Sequence, residues 1–183
     1  MENIYPSHIT NAEFVNSFLV KMQELSALNR KNIENISSLL FHTLKRGGHI
    51  FIVSDAAAEA VVRCFFSGKS VLPKQIPLVL GSQSSANKIA PTKNDAIVMV
   101  AFDGADHALV CEAMRWQAQN IPLVAITTAD VAKRDVPLIA DHVDFAVTIT
   151  PFTFEFSDSA VLLMWRSIVV DTYRKINIHK LSI

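Results

Sequence analysis

Cysteine is scarce in this 183-residue sequence, which excludes several kinds of site. Cys64 and Cys111 lie in apolar, helix-like segments without a CxxC spacing, and we expect a histidine partner for neither thiol. A disulfide framework, a thiolate metal site and a catalytic cysteine are therefore not expected. The pattern predicts two buried free thiols in a reducing compartment.

An excess of charge of one sign is also lacking, since 17 Lys and Arg balance 17 Asp and Glu. No overall field attracts nucleic acid or an anionic membrane, so neither is an expected partner. Met1–Pro6 has no basic segment leading into an apolar one, and we expect no secretory signal. The strongly apolar stretch Ser159–Val170 follows Asp158 and contains Arg166, which leaves it short of the ~20 residues of a membrane span. We expect a cytoplasmic location.

Helical periodicity dominates the first part of the chain. Apolar residues recur at spacings of three and four between Phe14 and Leu44, which is typical of amphipathic helix. Asn29–Asn32 predicts a bend that divides this segment into a pair of helices. Gly47-Gly48 then ends the helical pattern, because glycine favours the left-handed conformation found at helix ends.

Short apolar runs rich in Ile and Val follow the double glycine. Continuous apolarity, as in Ile97–Val100, is typical of strands that are buried on both faces of a parallel sheet. The alternation of strands with helices predicts an α/β fold, a three-layer doubly wound sandwich of the flavodoxin-like kind with a five-stranded parallel sheet. The predicted strands are His49–Ser54, Pro77–Gly81, Ala96–Ala101, Pro122–Thr127 and Asp144–Ile149, and the predicted helices between them are Ala57–Ser67, Asp106–Gln119 and Val131–Ala140.

The final segment, Phe156–Ile176, is apolar nearly all round and predicts a long closing helix. Such a helix needs cover on every face, and a second subunit supplies it most simply. We therefore expect a homo-oligomer, a dimer or a tetramer, packed through this helix and the N-terminal ones. The chain is expected to form one domain, 1–183, with N-terminal helices in 1–46, a sheet core in 47–151 and the C-terminal helix in 152–183.

The order of these elements resembles the sugar isomerase (SIS) domain family, which includes phosphoheptose isomerases and phosphosugar-binding proteins. The stretches that carry the resemblance are Gly47–Val53 and Asp95–Ala101, with Gly104 and Pro122–Thr127 after them. It implies an SIS fold over nearly the whole chain and a carbohydrate-derivative ligand such as a sugar phosphate. In the family, the first turn reads G-x-G-x-S and the second S-x-S-G-x-[ST], and their serines and N–H groups bind the phosphate.

Both turns depart from the family pattern. The first motif falls on Ser54–Ala58, where both glycines and the serine are replaced, and the second falls on Ala101–Asp106, where only Gly104 is retained. Each lost serine removes a donor, and each aspartate beside a phosphate adds like-charge repulsion. The glutamate and histidine that the resemblance implies for proton transfer are not found around Phe66–Lys69 and Met164–Ser167. The catalytic residues are therefore unknown.

Three aspartates are the main site candidates, because they follow strands of a sheet whose carboxyl edge binds ligands. Asp55, Asp103 and Asp106 predict an acidic pocket for a cation, an amine or sugar hydroxyls. The alternative is structural, since aspartate often caps a helix by accepting its first N–H groups.

Polar residues after other strands complete the candidate set. Ser82, Ser84 and Ser85 in the segment Gly81–Lys88 are expected to contact the ligand, with Lys88 as an anion partner; the alternative is a solvated loop. The remaining candidates are Ser54, Gly104, Thr127, Thr128 and His107, while Glu59 and Arg63 have the spacing of an intrahelical ion pair.

Two functions remain open at this point. The first is binding of a sugar phosphate or another carbohydrate derivative, by an isomerase relative with an altered site. The alternative is a non-catalytic oligomeric scaffold or regulator that binds a protein partner. A magnesium site at Asp55, Asp103 and Thr127 ranks last, because Pro151 stands where such a site needs lysine. No cofactor and no metal are expected.

Overall fold

The chain folds as a parallel sheet with helices on both faces, in a computed structural model that describes residues 11–66, 72, 74–77, 90–128, 136–149 and 157–179. The strands lie in the order β2-β1-β3-β4-β5, and all neighbours are parallel. The elements in chain order are α1 Asn11–Lys45, β1 Ile50–Ser54, α2 Glu59–Phe66, β2 Gln75–Pro77, β3 Ala96–Ala101, α3 His107–Ala118, β4 Leu123–Thr128, a 3-10 turn Ile139–His142, β5 Phe145–Ile149 and α4 Ser157–Ile178. The predicted α/β fold with a parallel sheet is confirmed.

The central strands are buried on both faces, as their continuous apolarity predicts. β3 and β4 are buried at every position. Alternate residues face two separate cores: Val98 and Val124 pack with α1, α2 and α4, whereas Ile97 and Ala125 pack with α3 and the 3-10 turn. Burial of apolar side chains at about 25 cal/mol per Å² is the main stabilising contribution in such cores. The sheet is thus the middle of three layers.

The predicted bend at Asn29–Asn32 is wrong, since α1 is one continuous helix of 35 residues. The two asparagines instead bind the open edge of β5. The Asn29 amide donates to Thr148 O (3.3 Å) and accepts from Thr148 N (3.2 Å), and Asn32 Nδ2 donates to Ala146 O (2.7 Å). These amides satisfy backbone groups that an edge strand otherwise leaves unpaired.

The closing helix is covered mostly within the chain. Residues of α4 such as Trp165 and Ile168 are buried in the same core as α1. α1 therefore supplies much of the cover that was expected from a second subunit, while Leu163 and Val170 of α4 are 37% and 60% exposed. The exposed apolar side chains near the start of α1, Val15, Leu19 and Val20, now carry the oligomer prediction, since each is more than 50% exposed.

Three further predictions require correction. The second strand includes Gln75–Pro77 and so begins two residues before the predicted Pro77–Gly81, of which 78–81 lie outside the described residues. Of the predicted helix Val131–Ala140, the structure describes 136–140. These residues contain the start of the 3-10 turn instead of an α-helix. Cys111 is exposed rather than buried, and its Sγ lies 3.8 Å from His107 Nε2, because its position on α3 faces solvent.

The double glycine positions β1 against β3. Gly47 has φ +79°, the left-handed conformation that ends α1. A Cβ on Gly48 would lie 1.8 Å from Asn94 O, so the backbones approach too closely for any other residue. The adjacent Asp95 carboxylate accepts from His49 N (2.8 Å) and Thr92 N (2.7 Å). This contact fixes the amino ends of both strands.

No helix of the part described here is both long and apolar enough to cross a membrane.

Candidate functional site

The residues that follow β1, β3 and β4 meet at the carboxyl edge of the sheet. Ser54 pairs with Val100, and Ala101 pairs with Thr127, so the three strand ends are level. In the order β2-β1-β3-β4-β5, the direction of winding reverses between β1 and β3. Open α/β sheets bind ligands in the crevice at such a topological switch point. The candidate site therefore lies where the two family motifs were aligned, at Ser54–Ala58 and Ala101–Asp106.

Asp55 joins the two loops at this switch point. Its Oδ1 accepts from Ala58 N (2.6 Å) in its own loop, and its Oδ2 accepts from Phe102 N (2.7 Å) and Asp103 N (3.1 Å) in the loop after β3. Asp55 is only 3% exposed. A buried carboxylate is thus held by three backbone donors from two loops, which makes it a structural bridge as well as a charge.

Burial raises the pKa of Asp55 above its ordinary value, because the charged form loses its hydration. The three backbone N–H groups lower the pKa and offset part of this effect, and the nearby charge of Asp106 raises it again. The net direction shows that desolvation outweighs the hydrogen bonds. Ionised Asp55 is therefore a costly group that its loops stabilise only in part.

The other two aspartates are also engaged within their loop. Asp103 Oδ1 accepts from Ala105 N (3.0 Å). Asp106 is the N-cap of α3, and its Oδ1 accepts from Leu109 N (2.9 Å). The structural alternative stated for Asp106 is thus present in the structure. Both residues are half-buried at the carboxyl edge.

The loop after β3 is fixed on its other side by β4 and the 3-10 turn. Thr128 Oγ1 donates to Phe102 O (2.5 Å), and Ile139 N donates to Gly104 O (2.8 Å). A Cβ on Gly104 would lie 2.3 Å from Thr128 O, so glycine is required for this close approach. Sequence reasoning missed Phe102 and Ile139, because their contribution comes from backbone groups, which carry no side-chain signal.

Several predicted contact residues are not exposed at the edge. Ser54 is 0% exposed, Thr127 is 1% exposed, and Gly104 is buried against Thr128. The Ser54 hydroxyl has no hydrogen-bond partner among the residues that the structure describes. Ser82, Ser84, Ser85 and Lys88 lie outside the described residues, so their predicted role remains a prediction.

Two helices bear on the proton-transfer groups that the resemblance implies, the helix after β1 and the closing helix. Where the resemblance implies a histidine on the closing helix, Met164 and Trp165 are buried in the core at 0% and 2% exposure. Glu59 forms the predicted intrahelical ion pair with Arg63, at 2.7 Å. In the described residues, no cluster of three or more His, Cys, Asp or Glu side chains is arranged to hold a metal ion.

A cleft of about 250 Å³ lies at the opposite, amino edge of the sheet. Its lining includes Gln117, Asn120, His142 and Asp144, which lie near the starts of β4 and β5. The Asp144 carboxylate there accepts from Leu123 N (2.8 Å) and so fixes the start of β4. None of the predicted site residues lines this cleft, which is therefore separate from the switch point.

Comparison with known proteins defines the class of fold. No protein-family model matches the sequence, and no curated protein matches it either. Among solved structures, the sugar isomerase domain of the RpiR transcription factor from Sphaerobacter thermophilus matches with a TM-score of 0.57 and 16% identity, over 89% of this chain and 97% of its own. The chain therefore has the fold of sugar isomerase domains.

Two further structures support the same assignment. A phosphoheptose isomerase from Francisella tularensis matches with a TM-score of 0.63 and 11% identity, over 91% of this chain and 100% of its own. A protein from Methanococcus jannaschii, whose structure infers a 3-hexulose-6-phosphate isomerase function, matches with a TM-score of 0.64 and 12% identity, over 90% and 92%. The resemblance to SIS proteins is thus confirmed at the level of the fold.

Proposed function

We propose that this chain binds a carbohydrate derivative at the carboxyl edge of its sheet. The observation that carries the proposal is the pair of loops after β1 and β3, which Asp55 joins at the topological switch point. The fold shared with sugar isomerase domains supports a carbohydrate ligand. We also propose that 1–183 forms one domain. The exposed free thiol of Cys111 is consistent with a cytoplasmic location.

The chemistry of the edge favours a ligand that donates hydrogen bonds. Asp103 and Asp106 are half-buried carboxylates beside the crevice, and carboxylate oxygens accept hydrogen bonds from sugar hydroxyls. Ser82, Ser84 and Ser85 lie outside the described residues, and their contact with the ligand stays a prediction from the sequence. The ligand is thus a polyhydroxylated molecule held by side-chain oxygens.

We further propose that binding at this edge is not accompanied by isomerisation. An aldose–ketose isomerisation moves a proton between neighbouring carbons and needs a positioned acid or base. Trp165 occupies the region of the closing helix where the resemblance implies histidine, and it faces the core. Glu59, the acid on the helix after the first turn, is paired with Arg63.

Thermal unfolding tests the proposal directly. The purified protein is heated in phosphate-free buffer with a panel of sugar phosphates, the matched free sugars and inorganic phosphate. A ligand at ~100 times its dissociation constant adds about 2.7 kcal/mol of stability, which raises the unfolding midpoint by several degrees. Stabilisation by at least one carbohydrate supports the proposal. No shift with any of them contradicts it.

A second candidate function is an oligomeric scaffold that contacts another protein. Val15, Leu19 and Val20 near the start of α1 are 51%, 51% and 53% exposed, and clustered exposed apolar residues mark interaction surfaces. We propose a homo-oligomer that buries them, as a dimer or a tetramer. In sedimentation experiments, Leu19→Asp should lower the mass, whereas Leu28→Asp, farther along α1 and 82% exposed, should not. A parent protein that sediments as a monomer contradicts this proposal.

A further inference from the structure

Three backbone donors converge on one point between the two switch-point loops. Ala58 N, Phe102 N and Asp103 N all donate to the Asp55 carboxylate, at 2.6, 2.7 and 3.1 Å. Converging backbone N–H groups from two loops form a typical site for an oxyanion. Here the oxyanion is the Asp55 carboxylate of the protein itself, and Asp55 is only 3% exposed.

A ligand anion would find these donors occupied. Both oxygens of Asp55 accept these hydrogen bonds. An incoming anionic group would have to displace the Asp55 carboxylate, which is attached to the chain. The loops themselves, Asp55–Ala58 and Phe102–Asp106, contain no Lys or Arg, and the charge of Asp106 acts on Asp55. Like charges repel strongly in a partly desolvated site. The described loops of the switch point therefore favour a group that carries no negative charge.

We infer that Asp55 is a resident anion that fills the oxyanion donors of the switch-point crevice, so that the ligand bound there is an uncharged carbohydrate derivative. The choice of ligand rests on the proposed function. The occupation of the donors rests only on the distances and burial around Asp55. Asp55 is thus a specificity-determining residue, because it replaces the anionic group that a ligand would otherwise bring.

Chemical rescue tests the occupation of the donors. Asp55→Ala removes the carboxylate but keeps the backbone, and formate has the shape and charge of the group that is lost. The unfolding midpoint of the variant is measured in sodium formate and in sodium chloride of equal ionic strength. At about ten times its dissociation constant, formate should raise the midpoint of Asp55→Ala by about 3–6 °C relative to chloride. The parent protein should show no such difference.

Asp106→Ala is the matched control. This variant also removes an aspartate that accepts a backbone hydrogen bond. Asp106, however, accepts from one N–H group, that of Leu109, and is half-buried, so water can replace its carboxylate. Formate should leave its midpoint unchanged. Equal midpoints of Asp55→Ala in formate and chloride would overturn the inference. If Asp55→Ala does not fold in chloride, the yield of refolded protein in the two salts is compared instead, and equal yields overturn the inference in the same way.

The ligand panel separates this inference from the proposed function. Stabilisation of the parent by free sugars, with no added effect of their phosphates, supports both. Stabilisation by sugar phosphates alone supports carbohydrate binding but overturns the resident anion. Formate rescue without stabilisation by any carbohydrate supports the resident anion as a structural device and contradicts the uncharged carbohydrate ligand.

Discussion

Replacing Asp55 by alanine should destabilise the fold through three orphaned backbone donors. The groups are Ala58 N, Phe102 N and Asp103 N, which share the buried carboxylate. A buried donor without an acceptor costs about 1–3 kcal/mol. The substitution also removes the desolvation cost of the charge, so we take the lower end and expect a loss of about 3 kcal/mol. For a chain of this size, that loss lowers the unfolding midpoint by roughly 6–12 °C.

Asp55→Asn separates the charge from the hydrogen bonds. The amide oxygen retains an acceptor for one loop, and the neutral group has no charge to desolvate, so this variant should lose less stability than Asp55→Ala. Because burial raises the folded-state pKa of Asp55 above its unfolded value, its contribution to stability is fully present below the unfolded pKa and is lost as pH rises through the folded pKa.

Urea unfolding across a pH series measures both effects. The stability of the parent relative to Asp55→Asn should fall as pH rises from about 3.5, and should become constant above the folded-state pKa of Asp55. A constant difference over the whole series would refute the account of the charge. A midpoint for Asp55→Ala within about 2 °C of the parent would refute the account of the hydrogen bonds.

Three other substitutions, the first with a comparison variant, test the contacts that position the edge and the sheet. In a denaturation assay, Gly48→Ala should lower the free energy of unfolding by about 3 kcal/mol or more, because the new Cβ would lie 1.8 Å from a carbonyl oxygen. Gly47→Ala should lower it by only about 1–2 kcal/mol, because the space there is open and the strain comes from φ +79° alone. Gly104→Ala should shift the loop after β3, lower stability by about 1–3 kcal/mol and weaken carbohydrate binding in calorimetry; unchanged affinity contradicts this. Asn29→Ala should lose about 1–2 kcal/mol and speed amide exchange at Thr148, and unchanged exchange contradicts the edge contact.

The order of helices and strands could be predicted because hydrophobic periodicity records it directly. Ala96–Ala101 is a strand with the predicted bounds, since six consecutive apolar residues are too few for a helix and suit burial on both faces. The prediction failed at Asn29–Asn32, where local propensity indicates a break. Tertiary contacts with β5 decide that region, and a single sequence does not show which backbone groups an asparagine will reach.

The candidate site was predictable in position but not in arrangement. The alignment of the turns located Asp55 and Asp106 at the carboxyl edge, and the N-cap alternative for Asp106 is present in the structure. The bridge from Asp55 to Phe102 joins residues 47 positions apart through a backbone N–H, which has no counterpart in residue type or spacing. The burial of Ser54 and Thr127 likewise depends on the neighbouring layers rather than on their own polarity.

Amide chemical-shift mapping of the isotope-labelled protein tests the central claim most directly. The claim is that the carboxyl edge binds an uncharged carbohydrate derivative while Asp55 occupies the oxyanion donors. A stabilising free sugar should shift the resonances of the loop Phe102–Asp106, and inorganic phosphate should leave the amides of Ala58, Phe102 and Asp103 unchanged. Saturable shifts of those three amides with phosphate, without an effect of any free sugar, would contradict the account.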